Sequence, residues 1–224
     1  MTSFPRRARH WEIDRQSLSA QAAHDADLLS GSGRKVRIFV PTAPAIVLGS
    51  TQRDEIVDAA FIAARCLEVA RRRSGGGAVL VDESVVWVDF AIARDDPLWD
   101  DDIARSMQWL GRLWARALAR IDIVAEVHKG PAVVTPLARA LCFCGIGHGE
   151  VVVEARKAIG ISQRRTRDGA RFQTMLHTRY DDTWIDALRF IDRDDARVKY
   201  SDAVYACDRP PGVVVDALIE QLSA

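Results

Sequence analysis

Three consecutive arginines run into a serine and three glycines at Arg71–Gly77, and a β-prone apolar run, Ala78–Val81, follows at once. Glycines adopt positive φ without penalty and let successive backbone N–H groups converge on an anion. Arginines form forked hydrogen bonds to carboxylate or phosphate oxygens. The stretch therefore predicts a turn beside a strand that holds a nucleotide phosphate or an acyl phosphate. A flexible hairpin loop with solvated charge explains the same residues equally well, because no Lys-Ser or Lys-Thr follows at phosphate-loop spacing.

Length, charge and cysteine usage limit the kind of protein this chain can be. Its 224 residues suffice for one well-buried domain. The 31 basic and 31 acidic residues cancel, which removes the electrostatic reason to expect a nucleic-acid partner. No apolar run approaches the ~20 residues that cross a bilayer, and no signal-peptide core follows the N-terminus. Four cysteines without a C-x-x-C pair are typical of reduced thiols, so we expect a cytoplasmic protein with no membrane partner and no metal site.

Hydrophobic periodicity predicts the main elements. The strongest is a helix over Asp100–Arg120, where apolar residues recur at three- and four-residue spacing. Ala78–Val81 and Ser84–Ile92 are expected to form a hairpin, and Glu150–Gln163 two strands that meet near Ala155. Further predictions are an extended arm over 1–10, helices over 17–29, 54–66, 183–191 and 211–223, and strands over 36–40, 45–48, 121–127, 140–144 and 172–176. Together these elements predict a single domain over 1–224 with an α+β fold, a mixed, largely antiparallel sheet flanked by helices.

Three segments, Val36–Gln52, Arg72–Val79 and Glu150–Gln163, resemble in sequence and in order those of one family, the biotinyl/lipoyl protein ligase and octanoyltransferase superfamily. Arg72–Val79 is similar to the R-R-x-[ST]-G-G-G-A-V loop of lipoate–protein ligases. Glu150–Gln163 resembles the segment that carries the family's lysine, and Val36–Gln52 resembles its substrate-pocket strands with their Gly-x-x-Gln end. The resemblance spans about residues 15–190 and keeps the family's order of segments. It implies an enzyme with the catalytic-domain fold of that superfamily.

The resemblance also implies roles for particular residues. Lys157 would stabilise the negative charge that develops on carboxylate and phosphate oxygens, and the amides of the glycine loop would act likewise. Cys142 would be the second catalytic candidate. The residues implied in binding the substrate or its adenylate are Arg72, Arg73, Ser74, Gly75, Gly76, Gly77, Ala78, Gln52 and Gly160.

Substrates and partners follow from the same resemblance. The acid would be lipoate or octanoate, attached to one lysine of a lipoyl carrier domain of the 2-oxoacid dehydrogenase or glycine cleavage type. In the ligase branch of the family, ATP with Mg2+ first forms an acyl-adenylate. In the transferase branch, the acyl chain moves without ATP from acyl carrier protein through a cysteine thioester. The chain is expected to lack the C-terminal accessory domain of many ligases, a role that a separate accessory subunit would fill.

Departures from the family pattern keep three functions open. Gly77 favours a ligase, since the cysteine transferases carry arginine there, yet Cys142-Phe143, fifteen positions before Lys157, resembles the transferase nucleophile site. The ligases' Gly-Arg-Asn-Asp segment is poorly kept, and Ala155 replaces the usual turn glycine. We expect a lipoate–protein ligase first, a Cys142-dependent octanoyl or lipoyl transferase second, and a non-catalytic acyl- or adenylate-binding sensor third.

Two further features allow more than one interpretation. A nucleophilic Cys142 reacts as its thiolate, which the ammonium of Lys157 would stabilise, with His148 as a possible base. Otherwise Cys142 is a small buried hydrophobe on a strand, with Cys144 pointing to the same face. The basic stretch Arg164–Arg171 is either a contact for the adenylate phosphate or an acidic carrier domain, or a solvated hairpin.

Overall fold

The computed structural model describes residues 10–30 and 33–223, and the strands in these ranges form two sheets. The strands are β1 Trp11–Leu18, β2 Arg34–Pro41, β3 Ala45–Leu48, β4 Glu68–Arg71, β5 Val79–Val81, β6 Val85–Ala93, β7 Glu126–Val127, β8 Val151–Val153, β9 Arg156–Arg165 and β10 Gly169–His177. The larger sheet has the order β1-β2-β6-β10-β9-β8-β7, and the smaller sheet has the order β4-β3-β5. β1 runs parallel to β2 and β4 parallel to β3, whereas the other neighbours are antiparallel. The predicted fold class is confirmed.

Seven helices surround the sheets within the described ranges. They are α1 Ala20–Asp25, α2 Ala59–Ala64, α3 Ile103–Ser106, α4 Gln108–Ala119, α5 Pro136–Ala140, α6 Arg193–Ala203 and α7 Pro211–Ser223, and short 3-10 turns occupy Asp54–Ile56, Cys142–Cys144 and Thr183–Ala187. None of the helices in these ranges combines the length and the apolarity needed to cross a bilayer. The extended arm predicted over 1–10 lies outside the described residues except for His10.

The larger sheet is buried on both faces. On one face, Val88 and Phe90 of β6 pack with Trp114 of α4 and Val214 of α7. On the other face, Trp87 of β6 packs with residues of α1, the smaller sheet and α6. This explains why β6 is apolar on both faces except at the buried Asp89, since both sides of a central strand meet apolar partners. The site described below lies on the second face.

The predicted hairpin of Ala78–Val81 and Ser84–Ile92 is wrong, although both strands exist. β5 pairs with β3 in the smaller sheet, whereas β6 lies between β2 and β10 in the larger one. The side chain of Asp82 accepts hydrogen bonds from the backbone N and the Oγ of Ser84, which turns the chain from one sheet into the other. The sequence around Asp82 correctly indicates a turn, but the strands that pair with β5 and β6 are distant in sequence.

The helix predicted over 17–29 is also wrong in its first part. Residues 11–18 are extended because they pair with β2 along its whole length, from Trp11 opposite Arg34 to Leu18 opposite Pro41. Ser19 then caps the short helix α1 by accepting from the N–H of Ala22. The long helix predicted over 100–120 is confirmed as α3 and α4, and the strands predicted to meet near Ala155 are confirmed as β8 and β9.

Other element predictions are correct only in part. The helix expected over 54–66 is divided into a 3-10 turn and α2, and the strand expected over 121–127 is reduced to β7. Residues 183–191 contain a 3-10 turn instead of a helix, and α6 was not predicted. Strands over 36–40, 45–48 and 172–176 and a helix over 211–223 are confirmed.

Candidate active site

A cavity of about 340 Å³ is lined by residues from both sheets. β9 and β10 contribute neighbouring positions, because Gly160 lies opposite Met175 and Ser162 lies opposite Gln173 in the register of these strands. The glycine loop after β4 and the segment between α5 and β8 form further walls. The residues singled out in the sequence that line this cavity are Arg72, Gly75, Gly76, Gly77, Cys142, Lys157 and Gly160.

Lys157 enters the cavity wall near the start of β9, and it is 5% exposed. Its Nζ lies 2.8 Å from Glu150 Oε1 and donates to the backbone oxygens of Cys142 and Gly145, each at 3.2 Å. Burial alone would lower the pKa of Lys157, but the charge and hydrogen bond of Glu150, together with the neighbouring Cys142, raise the pKa above its ordinary value. The ammonium also lies 5.1 Å from the ring centroid of Phe143. Lys157 is therefore a charged and well-fixed group.

Glu150 holds Lys157 and is itself held on both oxygens. Its Oε1 accepts from the N–H of Ile161 at 2.9 Å, and its Oε2 accepts from the N–H of Gly147 at 2.7 Å. The carboxylate thus ties β9 to the loop before β8 while it fixes the lysine. Sequence analysis placed Glu150 only as the end of a poorly kept motif, and its position directly before the buried run Val151–Val153 was the available signal.

Gly160 leaves room for the lysine side chain. A Cβ atom at this position would lie 3.3 Å from Lys157 Cε and 3.5 Å from Phe143 Cζ. The absence of a side chain therefore lets the lysine lie against the strand.

The glycine loop, Gly75–Gly77, lines the cavity. The N–H groups of Gly75, Gly76 and Gly77 donate to no other residue in the described ranges. Gly76 has φ +107°, a conformation that favours glycine. A Cβ at Gly77 would lie 2.6 Å from the backbone of Leu141, so the loop can approach α5 closely only with glycine there. Successive free amides of this kind form an anion-binding concavity.

Arg72 is hydrogen-bonded to this loop and lines the same cavity. It is 5% exposed, and its guanidinium donates to the carbonyl oxygens of Gly75 and Gly77. The same Nη2 lies 3.8 Å from Cys142 Sγ. The carbonyl oxygens of Gly75 and Gly77 therefore face the arginine, and a buried positive charge lies next to the loop.

Cys142 lines the cavity, but the strand predicted over 140–144 is wrong. α5 begins at Pro136 and is capped by Thr135, and the chain continues into the 3-10 turn Cys142–Cys144. The N–H of Cys142 donates to Ala78 O at 2.9 Å, which fixes this turn against the end of the glycine loop. Cys142 and Cys144 therefore do not share a sheet face. Cys144 lies outside the cavity lining, and burial raises its thiol pKa to about 12.

Several residues singled out in the sequence lie around the cavity and not on its surface. Gln52 accepts from the N–H of Gly49 and donates to Arg139 O and Ala140 O. It therefore connects the turn after β3 to the end of α5. Ala78 is buried and bridges to Leu141. The remaining residues of this set are Arg73, which pairs with Asp25, Ser74, whose Oγ donates to Ser162 Oγ at 3.2 Å, and His148, which the cavity lining does not include.

Sequence analysis missed part of the lining altogether. His24 of α1 and Gln173 and Met175 of β10 line the cavity together with Phe143. Gln173 and Met175 follow the alternation of a strand, but the sequence does not show that β9 is their neighbour. Arg171, in the basic stretch Arg164–Arg171, is buried in an ion pair with Asp89, so neither interpretation of that stretch describes it.

The family resemblance implies a magnesium ion, so the oxygen ligands that the cavity could offer are compared with the coordination that Mg2+ requires. Mg2+ favours octahedral oxygen coordination by one or two carboxylates besides substrate phosphates. Glu150 is the one acidic side chain among the described residues that line the cavity, and both of its oxygens already accept hydrogen bonds from the protein. These side chains do not fit a magnesium ion held by the protein.

The sequence matches one described family over most of its length. Residues 14–204 match the family described as the lipoyl protein ligase A/B catalytic domain. A comparison with curated proteins finds no match.

Solved structures with the same fold come from lipoate protein ligases. A bipartite lipoate protein ligase of Thermoplasma acidophilum, studied with its E2 lipoyl domain, superposes with a TM-score of 0.77 at 17% identity, over 96% of this chain and 82% of that chain. A T. acidophilum structure with bound lipoic acid gives 0.74 at 16% identity, over 96% and 84% of the two chains. A lipoate-protein ligase A bound with ATP gives 0.73 at 16% identity, over 96% and 83%. At these identities the matches describe the fold.

Proposed function

Since the chain belongs to the lipoyl protein ligase A/B catalytic-domain family, we propose that it attaches a lipoyl or octanoyl group to a specific lysine of a lipoyl carrier domain by way of an acyl-adenylate. The observation that carries the proposal is the cavity, which is lined by a fixed, charged Lys157 and by the glycine loop, whose three amides have no partner among the described residues. A cation and a set of backbone donors are the groups that a carboxylate and a phosphate require.

In the first step, a carboxylate oxygen of the acid attacks the α-phosphorus of ATP, and pyrophosphate leaves. Lys157 stabilises the negative charge on the oxygens around the reacting phosphorus, and the amides of Gly75–Gly77 bind phosphate oxygens. Both sets of donors are held by other parts of the protein, so they need little rearrangement during the reaction. Removal of one preorganised donor of this kind costs about 2.7–4 kcal/mol.

In the second step, the neutral amine of the carrier lysine attacks the acyl carbon, AMP leaves with the electrons of the broken C–O bond, and the proton lost from the nitrogen passes to solvent. Lys157 again faces the developing negative charge. The carrier domain as partner is supported by family membership and by the T. acidophilum ligase, which was studied with its E2 lipoyl domain. ATP as a substrate is supported by the lipoate-protein ligase A of the same fold with bound ATP.

A second candidate function rests on the position of Cys142. Its Sγ lies 3.8 Å from the Arg72 guanidinium, and its side chain lines the cavity beside Lys157. In an octanoyl or lipoyl transferase, this sulfur would attack the acyl thioester of a donor, release the donor thiol and then pass the acyl group to the carrier lysine. Such a reaction consumes no ATP.

Intact-mass spectrometry of both proteins distinguishes the candidates. The purified chain is mixed with an apo lipoyl carrier domain, octanoate or lipoate, and ATP with magnesium, and the mass of the carrier is followed. We expect ATP-dependent acylation that falls about 10²–10³-fold in Lys157→Ala and persists in Cys142→Ser.

The opposite pattern would favour the transferase. Acylation from octanoyl carrier protein without ATP, an enzyme mass increased by one acyl group, and loss of both in Cys142→Ser would replace the ligase proposal. Acyl binding without either transfer would leave a sensor with this fold.

A further inference from the structure

The side-chain amide of Gln173 contains a hydrogen-bonding group that the mechanism above does not use. Gln173 is partly exposed although β10 lies in the middle of the larger sheet, between β6 and β9, and it lines the cavity. Its Nε2 lies 3.2 Å from Asp89 Oδ2 and 3.0 Å from His24 Nδ1. These two contacts determine how the amide is turned.

Both neighbours of this Nε2 atom are hydrogen-bond acceptors. Asp89 is fully buried, and its carboxylate only accepts, from Arg171 Nε at 2.7 Å as well as from Gln173. The ring of His24 is neutral and its Nδ1 can accept, because burial and the charges of Arg72 and Arg171 lower its pKa to about 3. Each hydrogen of the Gln173 NH2 group therefore has a partner, and the carbonyl end of the amide is directed away from both.

The Oε1 atom of Gln173 is an acceptor that a ligand can reach. It accepts no hydrogen bond from the described residues, yet it is not one of their polar atoms that are fully enclosed without a partner. This oxygen therefore keeps accessible surface, and the space that Gln173 lines is the cavity. Turning the amide over would place Oε1 against the Asp89 carboxylate, so the free group of Gln173 is an acceptor and not a donor.

Ser162 of β9 adds a hydroxyl next to this acceptor. It lies directly opposite Gln173 in the register of the two strands, and it also lines the cavity. Residues opposite each other on antiparallel strands share one face of the sheet. One part of the cavity is therefore polar, with an amide oxygen and a hydroxyl side by side.

This polar part is displaced along the sheet from Lys157. Gly160, which lies against Lys157, is opposite Met175, whereas Ser162 and Gln173 form the pair two residues further along. Two residues of a strand correspond to about 7 Å. A chain that starts at Lys157 and follows the sheet passes Met175, which is buried and apolar, before it reaches Gln173.

The exposed part of the lining lies elsewhere. Val133 and Val134 are 49% and 60% exposed, and Gly75 and Gly76 of the glycine loop are exposed as well. These residues mark where the cavity opens. A nucleotide whose phosphates are bound by the glycine loop therefore lies toward the opening, which leaves the strand side of the cavity to the acid.

We propose that Gln173 determines specificity at the inner end of the acyl pocket, where its Oε1 accepts a hydrogen bond from a donor on the acyl chain. This inference rests on the proposed function of the same cavity and narrows the acid that it takes. The class favoured is a carboxylic acid with a hydroxyl, or the weaker donor of a thiol, away from its carboxylate. The chain of octanoate and the cyclic disulfide of lipoate have no such donor, so they would cover Oε1 without giving it a partner.

Equilibrium binding to the full chain tests the assignment without any need for catalysis. Dissociation constants are measured by calorimetry for octanoate and for octanoates with either a hydroxyl or a ketone at carbon 5, 6 or 7. The hydroxyl can donate, whereas the ketone at the same carbon only accepts. We expect at least one hydroxy acid to bind about threefold to tenfold more tightly than its ketone and than octanoate, because a net hydrogen bond changes the affinity by about that factor.

The test variant is Gln173→Leu, which removes the acceptor and keeps a side chain of similar size. The preference for the hydroxy acid should fall to within about twofold, while octanoate binds as in the wild type or more tightly. The matched control is Gln163→Leu on β9, because Gln163 is not part of the cavity lining and its Oε1 accepts from Ser106 Oγ. This control should keep the preference.

Two results would overturn the role of Gln173 and leave the acyl pocket intact. One is equal binding of hydroxy acid and ketone at all three carbons, a comparison that needs only the wild-type protein. The other is a preference that survives in Gln173→Leu. If neither octanoate nor any of its derivatives binds, the proposed function fails with it.

Discussion

A buried lysine keeps its charge only if a nearby group compensates for the loss of water. In this protein the compensating group is Glu150, whose Oε1 lies 2.8 Å from Lys157 Nζ. The pKa of Lys157 is raised above its ordinary value, so the lysine stays charged as the pH increases through the alkaline range. The chemistry proposed for Lys157 therefore depends on a second residue.

Glu150→Gln tests this dependence. Glutamine keeps an oxygen acceptor but removes the charge, so burial prevails and the pKa of Lys157 falls. We expect activity to be lost with rising pH at a lower pH in the variant than in the wild type, by up to ~10²–10³-fold once Lys157 is neutral. The pH profile of ATP-dependent carrier acylation is the measurement.

The matched control is Glu154→Gln on the same hairpin. Glu154 pairs with Arg156 at the surface, and its side chain is 73% exposed. Its removal should leave the pH profile unchanged, and a profile of Glu150→Gln that matches the wild type would contradict the role given to Glu150.

The turn before Lys157 contains a residue in an energetically unfavourable backbone conformation. Ala155 has φ +62°, a left-handed conformation that is unfavourable for residues with a Cβ. Ala155→Gly should therefore raise the free energy of unfolding by about 0.5–1 kcal/mol, measured by urea denaturation. Ala158→Gly, within β9, should lower it instead, because that residue is buried in a strand without positive φ. A destabilised Ala155→Gly protein would show that the turn is not strained.

At the scale of elements, the glycine loop keeps its position because it contacts the start of the 3-10 turn Cys142–Cys144. Gly77→Ala would place a Cβ 2.6 Å from the backbone of Leu141. We expect the loop to be displaced, with a loss of about 1–3 kcal/mol in unfolding free energy and a loss of carrier acylation. Gly75→Ala is the control for stability, because nothing lies within 4 Å of its Cβ position. Equal stability of the two variants would contradict the close approach.

Elements whose pattern is local could be predicted from the sequence. The amphipathic helix over 100–120 and the strands β8 and β9 carry their own periodicity, and the structure confirms them. The predicted pairing of β5 with β6 is wrong although both strands exist, because the strands with which they pair are distant in sequence and leave no local pattern. The residues around Cys142 are typical of a strand, but the hydrogen bond from Cys142 N to Ala78 O and the preceding helix α5 determine the 3-10 conformation.

The same division applies to the site. Lys157 and the triglycine loop lie within recognisable segments, and both line the cavity. Other residues line the cavity only because segments distant in the chain are in contact. They are Glu150, His24 and Gln173, and the hydrogen bond between His24 and Gln173 is one such contact. No local pattern could reveal these contacts, because they depend on strand register and on the position of α1 over the sheet.

Over the whole molecule, the cavity is lined by residues of both sheets, and buried side chains of both sheets belong to one apolar cluster. A ligand that binds residues of both sheets should stabilise them as one unit. At a hundred times its dissociation constant, a ligand adds about 2.7 kcal/mol, which corresponds to roughly 5–11 °C in Tm for a protein of this size.

Thermal unfolding with octanoate and ATP together should show a shift of that order, larger than with either compound alone. The Lys157→Ala protein should show a much smaller shift. A shift in the variant equal to that of the wild type would place the ligand elsewhere.

The three unpaired amides of the glycine loop have a practical consequence for anyone who assays this protein. A donor set of this kind does not distinguish the phosphate of a nucleotide from inorganic phosphate or sulfate of similar geometry. Such oxyanions will compete with the nucleotide, so the turnover measured in phosphate buffer will be lower than in an amine buffer of equal ionic strength. The choice of buffer is therefore itself a probe of the loop.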